Sequence, residues 1–329
     1  FTAYNTRIVA PPHGSMLPMS PVRKNILMVA CALGLLIPVV IIFICENMNT
    51  RVRGRKDLES VTVPFIGEIP LFTRKKKGIF RKKPQEVRAI VVKEGSRDII
   101  NEAFRVLRTN LEFMTGKDKA SNVIIVTSFN PGSGKSFLTM NIAVSFAIKG
   151  KKVLVIDGDL RHGSASSYID SPTKGLSDYL GGRIDNLNEI IVTNPKQKYL
   201  DILPVGTIPP NPTELLFDDR LKQVIDTVRE QYEYVLIDCP PIELVADTQI
   251  IEKLADRTIF VVRAGLLELS MLAELEKIYG EKKYKNMSLI LNGTEGSGGR
   301  YGYRYGYRYG YHYGYGSEYH YGSDEKYIE

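Results

Sequence analysis

The sequence predicts an α/β protein: a parallel sheet with helices on both faces, one membrane-crossing helix ahead of it and a disordered tyrosine-rich tail behind it. Three observations carry this. Short β-branched runs alternate with helical stretches between Asn122 and Asn292, which is the rhythm of a parallel sheet covered on both sides. Ile26 to Cys45 is twenty residues without a charge. Beyond Asn292 the composition changes abruptly to Gly and Tyr.

Residues 1–24 are rich in proline, at Pro11, Pro12, Pro18 and Pro21, and read as extended chain. The chain starts at Phe1 and reads as a piece of a longer protein. The apolar run from Ile26 to Cys45 is about 30 Å long as a helix, the thickness of a bilayer core. It begins too far in, and lacks a small-residue cleavage site, to be a signal peptide. Pro38 is expected to bend it slightly. Arg23 and Lys24 precede the run, whereas Arg51, Arg53, Arg55 and Lys56 follow it, with two more clusters at 74–77 and 81–83. That asymmetry puts the C-terminal part in the cytoplasm.

Between Arg51 and Arg88 there are twelve Lys or Arg against four acids. Much of the net charge of +7 therefore sits in one linker-like segment, suited to solvent or to anionic lipid headgroups. It is no sign of a nucleic-acid-binding domain. Cys31, Cys45 and Cys239 form neither a disulfide framework nor a zinc spacing, which fits a reducing compartment.

Residues 89–115 read as one helix, with Ile100, Ala103, Phe104, Leu107 and Leu111 as its apolar stripe. Glu102, Arg105 and Arg108, three apart, fan out beside that stripe. They suit an ordinary helix surface or a polar contact with another copy.

Val123 to Val126 is a buried-strand pattern, followed by a Gly/Pro turn, then Lys135 and Ser136, then a helix closed by Gly150. Strand, glycine loop, Gly-Lys-Ser and helix form a phosphate-binding loop. Glycines let backbone N–H groups curl round a phosphate, and the helix N-terminus adds positive charge. The nucleotide set is Pro131, Gly132, Ser133, Gly134, Lys135, Ser136 and Phe137. Lys135 reaches the β and γ phosphates, and the Ser136 hydroxyl ligates Mg²⁺. The first glycine of the usual motif is replaced by Phe129.

Further strands are read at 153–156, 200–203, 234–237, 258–262 and 288–291. Two of them end in acids: Asp157 and Asp159 after the first, Asp238 after the third. Ligands of an open parallel sheet sit at the carboxyl ends of its strands. Three carboxylates there beside Lys135 point to Mg²⁺ and ATP, with Lys135, Asp157, Asp159 and Asp238 catalytic. Ser136, Asp159 and Asp238 are the candidate metal ligands, and Asp157 the candidate base. Asn292, at the end of the last strand, is a candidate adenine contact.

Gly293 to Gly299 reads as a hinge. Beyond it Tyr301, Tyr303, Tyr305, Tyr307, Tyr309, Tyr311, Tyr313 and Tyr315 occupy every second position, followed by Tyr319, Tyr321 and Tyr327. Glycines and missing aliphatics argue for disorder. A flexible 37-residue coil spans roughly 35 Å, enough to offer these phenols to a neighbouring site at high effective concentration. Each phosphate added to them brings about −1.5 to −2 charges, and the resulting repulsion would push copies apart.

Together these residues resemble the bacterial tyrosine kinases, in particular the membrane-bound Wzc type that regulates capsular or exopolysaccharide export. NPGSGKS, VIDGDLR and VLIDCPP match that family's three nucleotide motifs, and Glu102, Arg105 and Arg108 its oligomerisation motif. VTVPFIGEIP resembles its juxtamembrane segment, PVGTIPPNPTELL a further family signature, and the tyrosine tail its autophosphorylation cluster. The substitution at Phe129 is usual in this branch. Asn130 and Pro131 stand where related partition ATPases carry a second lysine.

The resemblance implies division into the end of a periplasmic chain-length-determinant region (1–24), a transmembrane helix (25–45), a basic juxtamembrane linker (46–88), a cytoplasmic kinase domain (89–292) and an acceptor tail (293–329). It implies ATP-dependent autophosphorylation in trans within a ring, commonly of eight subunits, in the bacterial inner membrane. A cognate phosphatase and the polysaccharide export machinery would be its partners, and nucleic acid would not. A non-catalytic ATP-gated assembly switch or polysaccharide co-polymerase is the alternative. A membrane-tethered partition-type ATPase is a weaker one, because it gives the tail no role.

Overall fold

The computed structural model describes residues 14, 23–72, 89–115, 122–195, 197–242 and 246–295. The proline-rich start, both lysine-rich clusters at 74–83 and the tyrosine tail lie outside them.

The chain divides into two compact units, 1–50 and 51–329. The described part of the first is helix α1, Arg23–Asn47. Its segment Arg23–Ile44, with mean hydropathy 3.0, is long and apolar enough to cross a membrane, and none of it is buried. The helix runs through Pro38 without a break.

The second unit is an eight-stranded sheet in the order β1-β8-β7-β2-β6-β3-β5-β4. Its strands are β1 (Phe65–Pro70), β2 (Asn122–Thr127), β3 (Val153–Asp157), β4 (Val192–Thr193), β5 (Leu200–Leu203), β6 (Tyr234–Asp238), β7 (Arg257–Arg263) and β8 (Ser288–Thr294). Seven run parallel, and the two-residue β4 pairs antiparallel with β5 at one edge. The helices are α2 (Ile99–Thr115), α3 (Lys135–Ile148), α4 (Leu176–Leu180), α5 (Pro212–Leu216), α6 (Asp219–Gln231), α7 (Asp247–Glu252) and α8 (Met271–Gly280).

Side chains alternate between the faces of a strand, so each apolar run feeds two cores. From β2, Val123 and Ile125 join the face that α6 and α8 cover, while Ile124 and Val126 join the face under α2 and α3. Burial on both sides explains why these strands are continuous apolar runs without polar alternation.

Three boundaries differ from the sequence reading. Of the segment read as a basic juxtamembrane linker (46–88), the described residues 51–72 belong to the second unit. Val52, fully buried, donates its N–H to the Leu267 carbonyl (2.9 Å) and accepts from the Gly265 N–H (2.7 Å). The run FIGEIP then pairs as β1 along β8, burying Ile66 and Ile69. Six residues inside a highly charged stretch give too little periodicity to reveal a strand. Second, α2 starts at Ile99, not at residue 89. The N–H groups of Val91 and Val92 go to the buried Asn141 side-chain oxygen (2.7 and 3.2 Å), so this stretch is satisfied without being helical. Third, β8 continues past Asn292 through Gly293 to Thr294, which is buried against Pro70 of β1. The hinge read at Gly293 is strand there because β1 supplies a partner edge.

Candidate active site

The phosphate loop connects β2 to α3. Gly132 and Gly134 have φ of 75° and 86°, the left-handed region that favours glycine. A Cβ at Gly134 would fall on the Asn292 side-chain amide and 3.3 Å from Arg263 Nη1. Asn292 Nδ2 donates to the Ser133 carbonyl (2.8 Å) in a buried bond. That bond carries the end of β8 into the loop, so Asn292 shapes the phosphate cradle; the sequence offered it only as an adenine contact. The Ser133 hydroxyl donates to the Asn130 carbonyl (2.8 Å).

Phe129 explains the missing glycine. Its ring is 2% exposed and packs edge-on to Phe260, with centroids 4.9 Å apart. The loop therefore begins with a core anchor. Lys135 and Ser136 open α3 behind Gly134, where backbone N–H groups converge.

Asp157 and Asp238 are register partners at the ends of β3 and β6. Both are buried. Asp157 Oδ2 accepts from the Ser166 N–H (2.6 Å) and hydroxyl (2.7 Å), while its Oδ1 has no hydrogen-bond partner. Burial, then the Asp238 charge, raises the Asp157 pKa, against the pull of the Ser166 bonds. Neither Asp238 oxygen has a hydrogen-bond partner of ordinary geometry. Burial raises its pKa too, and the nearby Ser136 hydroxyl and Lys135 ammonium draw it back. Asp159 lies at the turn after β3, where its Oδ1 accepts from the N–H groups of Arg161 and His162 (3.2 Å each). The Asp159 charge contributes to the raised pKa of both other carboxyls, so the three acids share one field with Lys135.

The predicted catalytic residues are thus brought together. Four side chains were not singled out: Ser166, Arg161, Thr213 and Asp247. Ser166 holds Asp157, and no motif marks it. Arg161 reaches Asp247 Oδ2 through Nε (3.3 Å) and the Thr213 hydroxyl oxygen through Nη2 (3.0 Å). Thr213 in turn donates to Asp247 Oδ1 (2.6 Å). Thr213 sits in a stretch noticed as a motif, but Asp247 carries no local signal.

The Glu102, Arg105 and Arg108 set occupies α2, away from this cluster in the fold. Arg105 pairs with Glu102 (2.6 Å) and donates to the Ser96 carbonyl (2.7 Å). Arg108 Nη1 donates to the Ser145 carbonyl of α3 (2.8 Å). Arg108 therefore ties α2 to the helix that begins at Lys135.

Buried carboxylate oxygens without donors, beside a lysine and a glycine cradle at a helix N-terminus, make a site for nucleotide phosphates. Among the described residues no group of three or more His, Cys, Asp or Glu is arranged to hold a metal ion by itself.

Comparison with known proteins agrees. The family model described as an AAA domain matches residues 121–289. The tyrosine-protein kinase YwqD of Bacillus subtilis is 35% identical over 63% of this chain and 87% of its own length. The tyrosine-protein kinase etk of Escherichia coli K12 is 31% identical over 80% of this chain, which spans 37% of that relative. A cps-region protein of Klebsiella pneumoniae is 29% identical over 79% of this chain, which spans 36% of it. The solved kinase domain of the Escherichia coli tyrosine kinase ETK superposes with TM-score 0.64 at 29% identity, over 80% of this chain and all of that one. The chimerical protein CapA2B2 gives TM-score 0.61 at 30% identity, over 74% and 100%.

Proposed function

The chain belongs to the bacterial tyrosine-protein kinases, and we infer that it is an ATP-dependent autokinase of the membrane-bound Wzc type whose acceptors are its own C-terminal tyrosines. The observation that carries this reading is the pairing of buried, donor-poor Asp157 and Asp238 beside the Gly134–Lys135 cradle. Those groups suit a triphosphate with its counter-ion, and the same chain ends in eleven tyrosines.

The residues take the following roles. The loop 131–137 holds the phosphates, and Lys135 neutralises charge on the transferred group. The phenol oxygen forms a bond to the γ-phosphorus as the bond to the β-phosphate oxygen breaks. ADP leaves, and the phenolic proton passes to a carboxylate. Asp157 suits this base, since it keeps one unpaired oxygen and a pKa raised by burial. Mg²⁺ fits the donor set of Ser136, Asp159 and the two unpaired oxygens of Asp238. When bound it supplies positive charge to the phosphates and relieves the repulsion between carboxylates.

The helix Arg23–Ile44 would anchor the protein in the bacterial inner membrane, with the kinase unit on the cytoplasmic side as the flanking Lys and Arg require. Transfer in trans, ring assembly through Glu102, Arg105 and Arg108, a cognate phosphatase and a link to capsule or exopolysaccharide export complete the proposal. They rest on family membership and on the reach of the tail.

Incubation with ATP and Mg²⁺, followed by mass spectrometry, tests it. Several phosphates on Tyr301 to Tyr327 are expected, and none in Lys135→Met. Nucleotide binding or turnover with an unmodified tail would leave the ATP-gated switch.

A further inference from the structure

The motif Pro204–Leu216 supplies none of the acids or loop residues of the phosphate site, yet hydrogen bonds wire it to the acids at two points. The first arm starts at Val205. Its N–H donates to the Ser166 hydroxyl oxygen (2.9 Å), and that hydroxyl donates to Asp157 Oδ2 (2.7 Å); both bonds are buried. The second arm starts at Thr213. Its hydroxyl oxygen accepts from Arg161 Nη2 (3.0 Å), and its proton goes to Asp247 Oδ1 (2.6 Å). Asp247 Oδ2 accepts from Arg161 Nε (3.3 Å), which closes a ring of three side chains. The Arg161 backbone N–H in turn donates to Asp159 Oδ1 (3.2 Å). One segment thus reaches Asp157 through Ser166 and Asp159 through Arg161.

A brace needs a fixed post, and the segment has one. The carbonyls of Pro204 and Val205 accept from the N–H groups of Leu176 (2.8 Å) and Ser177 (2.9 Å) at the start of α4. Asp178 Oδ2 accepts from the N–H groups of Gly175 and Thr207 (3.1 Å each). Gly175 and Gly206 lie back to back. A Cβ on Gly175 would fall 2.3 Å from the Pro204 carbonyl oxygen, and one on Gly206 would fall 2.2 Å from Asp178 Oδ2. Gly206 also has φ of 78°, where glycine is favoured. The two backbones are therefore in direct contact, and Val205 has one place to sit. At the other arm Asp247 is wholly buried. A buried carboxylate stripped of its partners is costly, which keeps the ring with Arg161 and Thr213 closed.

The acids need this support. Asp157 and Asp159 are like charges two positions apart at the end of β3, and their repulsion works to splay the turn that carries them.

We propose that Val205–Thr213 is a brace for this turn, with Ser166, Arg161 and Thr213 as positioning residues that hold Asp157 and Asp159 ready for nucleotide-bound Mg²⁺. The inference deepens the reading of the acids as the phosphate and Mg²⁺ site and rests on it.

The test is the ADP affinity of the full chain, measured by calorimetry with Mg²⁺ and again with EDTA. The ratio of the two affinities reads how well the acids are held, whereas the affinity in EDTA reads the loop 131–137. Thr213→Val and Ser166→Ala should each lower the ratio about three- to tenfold and leave the EDTA affinity unchanged. Thr213→Ser, which keeps the hydroxyl, should restore the ratio. Thr213 is half-buried, so the Thr213 pair decides the matter if Ser166→Ala does not fold. An unchanged ratio in Thr213→Val overturns the brace, as does an equal fall in both affinities, which marks a purely structural role. Failure of Thr213→Ser to restore the ratio overturns it too. Tail phosphorylation is followed in parallel. A modified tail with an unchanged ratio leaves the autokinase without the brace, and a lowered ratio with an unmodified native tail leaves the brace without the autokinase.

Discussion

Asp157 and Asp238 stand opposite each other across β3 and β6, both buried, and among the described residues only the Asp157 side chain has hydrogen-bond donors of ordinary geometry. Two acids in that position repel when ionised. Burial and mutual repulsion raise the Asp157 carboxyl above the ordinary carboxylate range, and burial raises Asp238.

The sign of the pH effect follows. A raised carboxyl binds protons more tightly in the folded state than in the unfolded one. Its favourable contribution is complete below the ordinary carboxylate pKa and is lost as pH rises through the folded value. The ligand-free protein should therefore melt at a lower temperature at pH 8 than at pH 5, and Asp238→Asn should flatten this slope and raise the melting point near neutral pH. An unchanged slope in thermal denaturation would contradict the reading. Added Mg²⁺ and ADP should stabilise the native protein most at the alkaline end.

Phe129 sits where the common motif has glycine, and restoring that glycine should harm the protein. Removing a buried aromatic side chain costs about 3–5 kcal/mol, because Phe260 loses its partner. Phe129→Gly should lower the denaturant midpoint markedly. A neutral effect in a urea titration would show that the loop does not need its anchor.

Asn292 holds the Ser133 carbonyl from the far side of the loop. Asn292→Ala leaves that buried acceptor unpaired, at about 1–3 kcal/mol. ADP affinity should fall along with stability, measured by calorimetry. Stability loss with unchanged ADP affinity would mean that this bond supports β8 and not the cradle.

The β1 segment makes a prediction about fragments. A fragment beginning at Arg51 should fold as a monomeric domain as far as its sheet edge is concerned. One beginning at Ala89 lacks the buried Val52, Val63, Ile66 and Ile69, each worth about 1.5–3 kcal/mol, and bares the edge of β8. It should melt lower and aggregate in light scattering. Equal behaviour of the two fragments would make β1 dispensable.

Much of this was legible in the sequence because it is local. The strand at 122–127 and the helix from Lys135 are adjacent in the chain, and their glycines declare the turn between them. The acids at 157, 159 and 238 could be placed at strand ends because parallel sheets gather ligands there. The candidate membrane span needed only length and the absence of charge.

Tertiary structure alone decided the rest, for one physical reason: these contacts join residues far apart in the chain. Pairing of Asp157 with Asp238 depends on the register of two strands about eighty residues apart. The bond from Asn292 to Ser133 spans 159 positions, and the Arg161–Asp247 pair spans 86. FIGEIP became a strand only because β8 offered it an edge. Periodicity reports which face a residue presents, whereas the partner on that face is chosen by the packing of the whole sheet.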